Sequence, residues 1–282
     1  MKILVINAGS SSCKYQLLEM DTHAVLCSGL AERIGQDEGR LTHKIAPDTD
    51  KEEKIVRTAH FPTHVQAMEL VISLLTDAEK GVIKDKSEIA GIGHRVLHGG
   101  EAVSDPVLVD ERVKEIVREC AVLGPLHNPA NLMGIEACEK AMPGKPQVAV
   151  FDTAFHMTMP PKAYRYAIPT KYYTEDHLRR YGFHGTSHRF VSKRCIELMG
   201  GVENAHRVIV STADAAGFDI DNYVNVGTDG ERNNTGNHSV AECRRIIGKT
   251  VVDATNVSRE ARASLVQLAQ IGRASCRERV SS

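Results

Sequence analysis

This 282-residue sequence predicts an α/β fold, and three observations carry that expectation. Strand-like apolar runs alternate with segments of helical apolar spacing, the pattern of a sheet flanked by helices. The chain opens on a strand-like run, Lys2-Ile-Leu-Val-Ile-Asn7, that feeds a turn of small residues. Two later runs, Ile89-Ala-Gly-Ile-Gly93 and Gln147-Val-Ala-Val-Phe151, lead directly into charged residues. Ligands of such sheets sit beyond the carboxyl ends of strands. On this reading Asn7, Arg95 and Asp152 each lie just past such an end.

Taken in order, Ala8-Gly9-Ser10-Ser11-Ser12-Cys13-Lys14 forms a hairpin tip, and Tyr15-Gln16-Leu17-Leu18-Glu19 returns as a strand. The tip suits an anion: Gly9 allows close backbone approach, the hydroxyls donate, and Lys14 adds positive charge. The plainer alternative is an ordinary Ser-rich hairpin. It is not a Walker loop, because no Gly-Lys-Ser/Thr follows. Residues 23–35 read as a third strand and 36–60 as edge strands and loops. Pro62-Thr-His opens a helix through Val65, Met68, Val71, Ile72 and Leu75. A further helix is expected near 111–122, another from about Asn131, and a last one after Tyr181-Gly-Phe-His-Gly-Thr-Ser-His188, running to about Gly200.

Composition narrows the function classes. The net charge of −1 gives no bulk pull towards nucleic acid or anionic membrane, so neither is expected as a partner. No apolar run is long enough to span a bilayer, and the first residues read as a strand, not a signal peptide. Seven cysteines are scattered without Cys-x-x-Cys spacing, which points to a reducing, cytoplasmic setting and away from disulfides or zinc.

Asp152 leaves a dry strand for an open edge, where a carboxylate can hold a metal or take a proton; a turn or N-cap Asp is the alternative. Arg95, between a strand and Gly99-Gly100, can hold a carboxylate or phosphate through paired hydrogen bonds, or serve a structural ion pair. His94, His98, His127, His156, His184 and His188 all lie near Gly or Pro turns. An anion-binding hairpin, a clamping Arg, a carboxylate and turn histidines together suggest phosphoryl transfer, which needs positioned cations more than covalent catalysis.

Five stretches, in order, resemble the acetate kinase family: Val5-Ile-Asn-Ala-Gly-Ser-Ser-Ser12 with Lys14, Gly93-His-Arg-Val-Leu-His-Gly-Gly100, Pro125-Leu-His-Asn-Pro129, Val150-Phe-Asp-Thr-Ala-Phe-His156 and Tyr181 to His188. The resemblance implies an ASKHA (actin, heat-shock-protein and sugar-kinase-like, ribonuclease H-like) fold of two lobes, here with an incomplete second lobe. It also implies a cytoplasmic homodimer, acetate and ATP as substrates, acetyl phosphate and ADP as products, and Mg²⁺ or Mn²⁺ as cofactor. Asn7 would help hold the metal, and Ser10, Ser12 and Lys14 would face nucleotide phosphate. Arg95 would bind acetate, with Leu97, Leu126 and Phe183 lining a methyl pocket and His127 nearby. Asp152 would be the catalytic carboxylate, and His184 would stabilise the transferring phosphoryl group. Propionate or butyrate are alternative acceptors.

The resemblance stops soon after Gly200. The family's adenosine loop, second transition-state arginine and late metal-binding glutamate have no counterpart in the remaining sequence. Residues 205–270, through Gly248-Lys-Thr-Val-Val-Asp-Ala-Thr-Asn256, resemble a fragment of a P-loop polynucleotide-kinase-like ATPase. Its Walker loop is absent, since position 243 is Cys where the motif needs Gly. Residues 271–282, with Ile271-Gly-Arg-Ala-Ser-Cys-Arg-Glu-Arg-Val280, resemble a translated sequencing adapter. The expected organisation is therefore 1–204, 205–270 and 271–282. Two functions are expected of such a chain: an ATP-dependent acetate phosphotransferase inactive in this truncated form, or a non-catalytic fragment that keeps only the acceptor-side lobe.

Overall fold

The computed structural model describes residues 1–205, 208–211 and 250–253. They fall into two compact units, the first ending at Ala154 and the second beginning at Phe155. The sequence expectations for 212–249 and 254–282, the adapter-like tail included, lie outside the described residues.

The first unit is built on an eight-stranded sheet. Its strands are β1 (Lys2–Ala8), β2 (Ser12–Glu19), β3 (Ala24–Glu32), β4 (Gly39–Ile45), β5 (Glu53–Ala59), β6 (Ile89–Val96), β7 (Val107–Leu108) and β8 (Gln147–Phe151). Their order is β5-β4-β3-β2-β1-β6-β8-β7. Successive antiparallel hairpins join β1 to β5, while β1, β6 and β8 run parallel. The stretch 36–60, read as edge strands and loops, supplies the outer hairpin β4–β5.

The alternation along β1 decides which face is dry. Leu4, Ile6 and Ala8 point into the core, and Ile3, Val5 and Asn7 are half-buried on the other face. Three helices serve this sheet: α1 (His64–Leu75), α2 (Glu111–Glu119) and α3 (Asn128–Ala141). Thr63 and Gln66 form a reciprocal capping box that starts α1. A 3₁₀ turn at Cys120–Val122 extends α2, which together fill the expected 111–122 segment. The third helix begins three residues before the expected Asn131, because Pro129 fits a first helical turn where no N–H partner is needed. Fully buried Leu4, Leu17, Leu41, Val71, Leu75 and Ile92 form the main core cluster. A second cluster around Val96, Val117, Ile135 and Phe151 lies under β6 and β8. Each such side chain contributes about 1.5–3 kcal/mol relative to exposure.

The second unit contains two single-turn helices, α4 (Pro161–Tyr164) and α5 (Lys171–Thr174), and one full helix, α6 (Gly185–Leu198). Arg179 stacks 3.7 Å over the Tyr164 ring, and Arg165 lies 4.6 Å over Tyr173. Val191 and Cys195 of α6 pack with Val208 and Val210 of strand β9 (Val208–Ser211). That strand pairs in parallel with β10 (Thr250–Asp253).

Candidate active site

Three strand ends of the first unit converge on one charged group. Arg95 is the penultimate residue of β6, and Asp152 immediately follows β8. The β6–β8 ladder brings Val96 beside Phe151, and the Asp152 amide donates to the Val96 carbonyl at 2.9 Å. Arg95 Nη2 then donates to Asp152 Oδ2 at 2.6 Å, with Nε 3.2 Å from both carboxylate oxygens. Nη1 reaches Asn7 Oδ1 on β1 at 3.5 Å. The carboxylate is buried (2% exposed) while the guanidinium is 37% exposed, so the pair turns its cationic side outward. A buried carboxylate is tolerated only when charge and hydrogen bonds compensate it, and Arg95 supplies both.

This geometry corrects the strand ends read from sequence. Only Asp152 lies beyond its strand; Asn7 and Arg95 are still within β1 and β6. The reason is alternation: His94 and Val96 turn into the dry layer and keep the ladder going, so Arg95 projects from the opposite face.

The hairpin between β1 and β2 closes tightly, with the Gly9 amide donating to Ser12 O at 2.7 Å. His64 at the start of α1 lies 2.8 Å from Gly9 O, and because a carbonyl only accepts, its Nε2 carries the proton. Ser10 and Lys14 are exposed and Ser12 is half-buried. Asn7 and Lys14 are register partners and line one depression of about 490 Å³, together with Ser28, Thr42 and Lys44. Lys44 is itself paired with Glu52 at 2.7 Å, and Lys14 is exposed.

The loop after β6 is held almost entirely by buried side chains. Leu97 N–H donates to Asn131 Oδ1 at 3.0 Å, and His98 N–H to Asn128 Oδ1 at 3.1 Å. Gly99 N–H donates to Thr153 Oγ1 at 3.2 Å, and Gly100 N–H to His98 Nδ1 at 3.0 Å. Burial holds the His94 and His98 imidazoles at about 4, well below the usual range, so both are neutral near pH 7. His94 is further occupied by Gln147 Oε1 at 2.5 Å. Leu97 is half-buried beside Gly124, in the loop that carries exposed Leu126 and His127.

The second unit holds Phe183 and His184. His184 is exposed and sits at the start of α6 with φ 54° and ψ 24°, a left-handed conformation costly for a residue with a Cβ. Buried His156 donates from Nε2 to Phe183 O at 3.0 Å and packs edge-on against His188. Gly182, at φ +77°, leaves the space this needs: a Cβ there would lie 2.6 Å from the His156 ring.

Asn128, Asn131, Thr153 and His64 were not singled out by sequence reasoning. The available signal was spacing: Asn128, Asn131, Ile135 and Cys138 share one inward face of α3, where a polar side chain requires a partner. Among the described residues no group of three or more His, Cys, Asp and Glu is placed to hold a metal ion. No helix among them is long and apolar enough to cross a membrane.

The profile of the Acetokinase family matches residues 2–217. The acetate kinase of Desulfovibrio desulfuricans is 82% identical over 200 residues, covering 71% of this chain and 50% of that protein. For the acetate kinase of Thermotoga maritima the identity is 56% over 200 residues, or 71% and 48%. Among solved structures, Porphyromonas gingivalis acetate kinase superposes with a TM-score of 0.69 at 46% identity, covering 75% of this chain and 52% of that one. A propionate kinase from Francisella tularensis superposes at 0.68 and 38% identity, with the same coverage. The chain spans about half the length of the curated relatives it matches.

Proposed function

Because the chain belongs to the acetokinase family, we propose that it carries the acceptor-side half of an ATP-dependent phosphotransferase that converts acetate to acetyl phosphate, reversibly. The observation that carries this reading is the convergence of Asn7, Arg95 and Asp152 at the ends of three parallel strands. Asp152 engages Nε and one edge of the Arg95 guanidinium, which fixes its plane and leaves outward donors for a carboxylate acceptor. Acetate held there attacks the terminal phosphoryl group in line, and charge compensation does most of the work.

Ser10, Ser12 and Lys14 supply hydroxyls and a cation for the nucleotide phosphates. In the second unit His184, exposed and held in a strained backbone, offers an imidazole suited to a phosphoryl group. Leu97 and Leu126 of the first unit are the apolar side chains offered to the acceptor's methyl group, and His127 follows Leu126 in the same loop. Asn7 Oδ1, only loosely approached by Arg95 Nη1 at 3.5 Å, is a hard oxygen donor of the kind Mg²⁺ or Mn²⁺ accepts while keeping water and phosphate in its remaining positions, so this residue fits such an ion. When bound, the metal neutralises phosphate charge. Propionate is a second acceptor, favoured by the Francisella propionate kinase likeness.

The chain corresponds to half of its relatives, and we infer that it does not complete the reaction alone. Titration of acetyl phosphate tests the acceptor-side reading. Binding is expected, and Arg95→Lys should weaken it by about tenfold or more, the loss of one charged hydrogen bond. No binding, or binding indifferent to Arg95, overturns it.

A further inference from the structure

Asn131 and Asn128 stand three residues apart on α3, and both are buried. Each makes more than one hydrogen bond to backbone. Asn131 Nδ2 donates to Ala8 O at 2.8 Å while its Oδ1 accepts from Leu97 N–H at 3.0 Å. The first of these residues follows Asn7 directly, and the second lies two places after Arg95. The parallel β1–β6 register ends at Ile6 and His94. Past that pair the two strands have no rung of their own. The side-chain amide of Asn131 has the same donor and acceptor as a peptide group, and it spans the gap. Asn128 closes the neighbouring positions: Oδ1 accepts from His98 N–H at 3.1 Å, and Nδ2 donates to His98 O and Val117 O, each at 2.9 Å. Gly134, one turn further along α3, makes the approach possible, since a Cβ there would come within 2.5 Å of the Ala8 Cβ.

We propose that Asn131 and Asn128 are positioning residues, with Asn131 serving as an extra rung between β1 and β6 that sets the separation of Asn7 from Arg95. The inference rests on the reading of those two residues as metal-side and acceptor-side groups. Removing the Asn131 amide leaves a buried N–H and a buried carbonyl unpaired, so the strand ends must shift or admit water. A shift at Leu97 is passed through a single residue to Arg95, whose pairing with Asp152 and Asn7 depends on its strand position.

The test uses the full chain and a spectroscopic signature. The Nε–H resonance of Arg95, identified by its loss in Arg95→Lys, reports solvent exchange at the ion pair with Asp152. Asn131→Ala is compared with Val71→Ala, a core truncation on α1 that lowers stability without touching the strand ends. Exchange of the Arg95 Nε–H is expected to rise by about tenfold in Asn131→Ala, the scale of one lost hydrogen bond, and to stay within about twofold in Val71→Ala. Equal change in both, or none in Asn131→Ala, overturns the proposal and reduces Asn131 to a stability residue. Should Asn131→Ala not fold, Asn131→Ser carries the same comparison. The unaltered chain adds a check, because the Leu97 and His98 amides must exchange slowly, and rapid exchange at both overturns the clamp. An acetate titration followed at the same resonance keeps the two readings apart. A resonance blind to acetate but sensitive to Asn131 refutes the function assigned to Arg95 and sustains the clamp; the reverse pattern refutes the clamp alone.

Discussion

Arg95 and Asp152 are best understood as one group, because the carboxylate is buried and the guanidinium faces outward. Under the proposed function, Asp152 would act on the acceptor partly through Arg95. In a full-length relative carrying this front half, Asp152→Asn is expected to lower kcat and also to raise the acetate KM, since it frees the guanidinium plane. A change in kcat alone would show that Asp152 works only in the transition state. The substitution also has a stability cost. Breaking a fully buried pair costs about 3–5 kcal/mol, but the exposed side of Arg95 remains solvated, so a loss of about 1–3 kcal/mol is expected for Asp152→Ala. Urea unfolding measures it, and an unchanged midpoint would mean that the pair is not formed in solution.

At the scale of elements, α3 couples packing to the site. Gly134→Ala should gain about 1 kcal/mol of helix propensity. Against this, the new methyl meets Ala8, and overpacking of about 1–3 kcal/mol is expected to prevail. Net destabilisation in thermal melts is the expected result; a stabilised variant would show that α3 does not seat on β1. Strand β6 and the loop after it carry a second, pH-dependent feature. Burial depresses the imidazoles of His94 and His98 to about 4, from an unfolded value near 6.5. The folded state then binds fewer protons than the unfolded state between those values. Their contribution is complete above about pH 6.5 and is lost as pH falls towards 4. Melting temperature should decline across that window, and His98→Asn should flatten the decline. A melting temperature independent of pH from 7 to 5 would refute the neutral, buried assignment.

On the scale of the whole molecule, the described residues form one well-built sheet unit and a second unit with a single long helix. Phosphoryl transfer needs both partners fixed in line, and on the function proposed above this chain, about half the length of its relatives, lacks the family's adenosine loop and second transition-state arginine. By analogy with arginine fingers that arginine is worth roughly 10³–10⁵ in rate. The chain alone is expected to show no acetyl phosphate formation from ATP and acetate in a coupled assay. Turnover near the roughly 1 s⁻¹ floor of ordinary kinases, or micromolar ATP binding by calorimetry, would show that the groups present suffice.

Local sequence determined most of what can be named here. Continuous apolar runs within Lys2–Ala8 and Gln147–Phe151 identified buried strands, and the spacing of Val65, Met68, Val71, Ile72 and Leu75 identified α1. The residues around Asn7, Arg95 and Asp152 were legible for the same reason: each sits where a strand run changes into polar or glycine-rich sequence. Strand order was not legible, because pairing depends on contacts such as those of Val5 with Gly93, 88 places apart. Nor were the partners of Asn128 and Asn131, since a buried amide announces only that it needs partners. Tertiary structure alone decided that these partners are the backbone beside Asn7 and Arg95, and that Arg95 meets Asp152 across the sheet. Periodicity is local and survives in one dimension, whereas hydrogen-bond satisfaction is settled only after the chain has closed on itself.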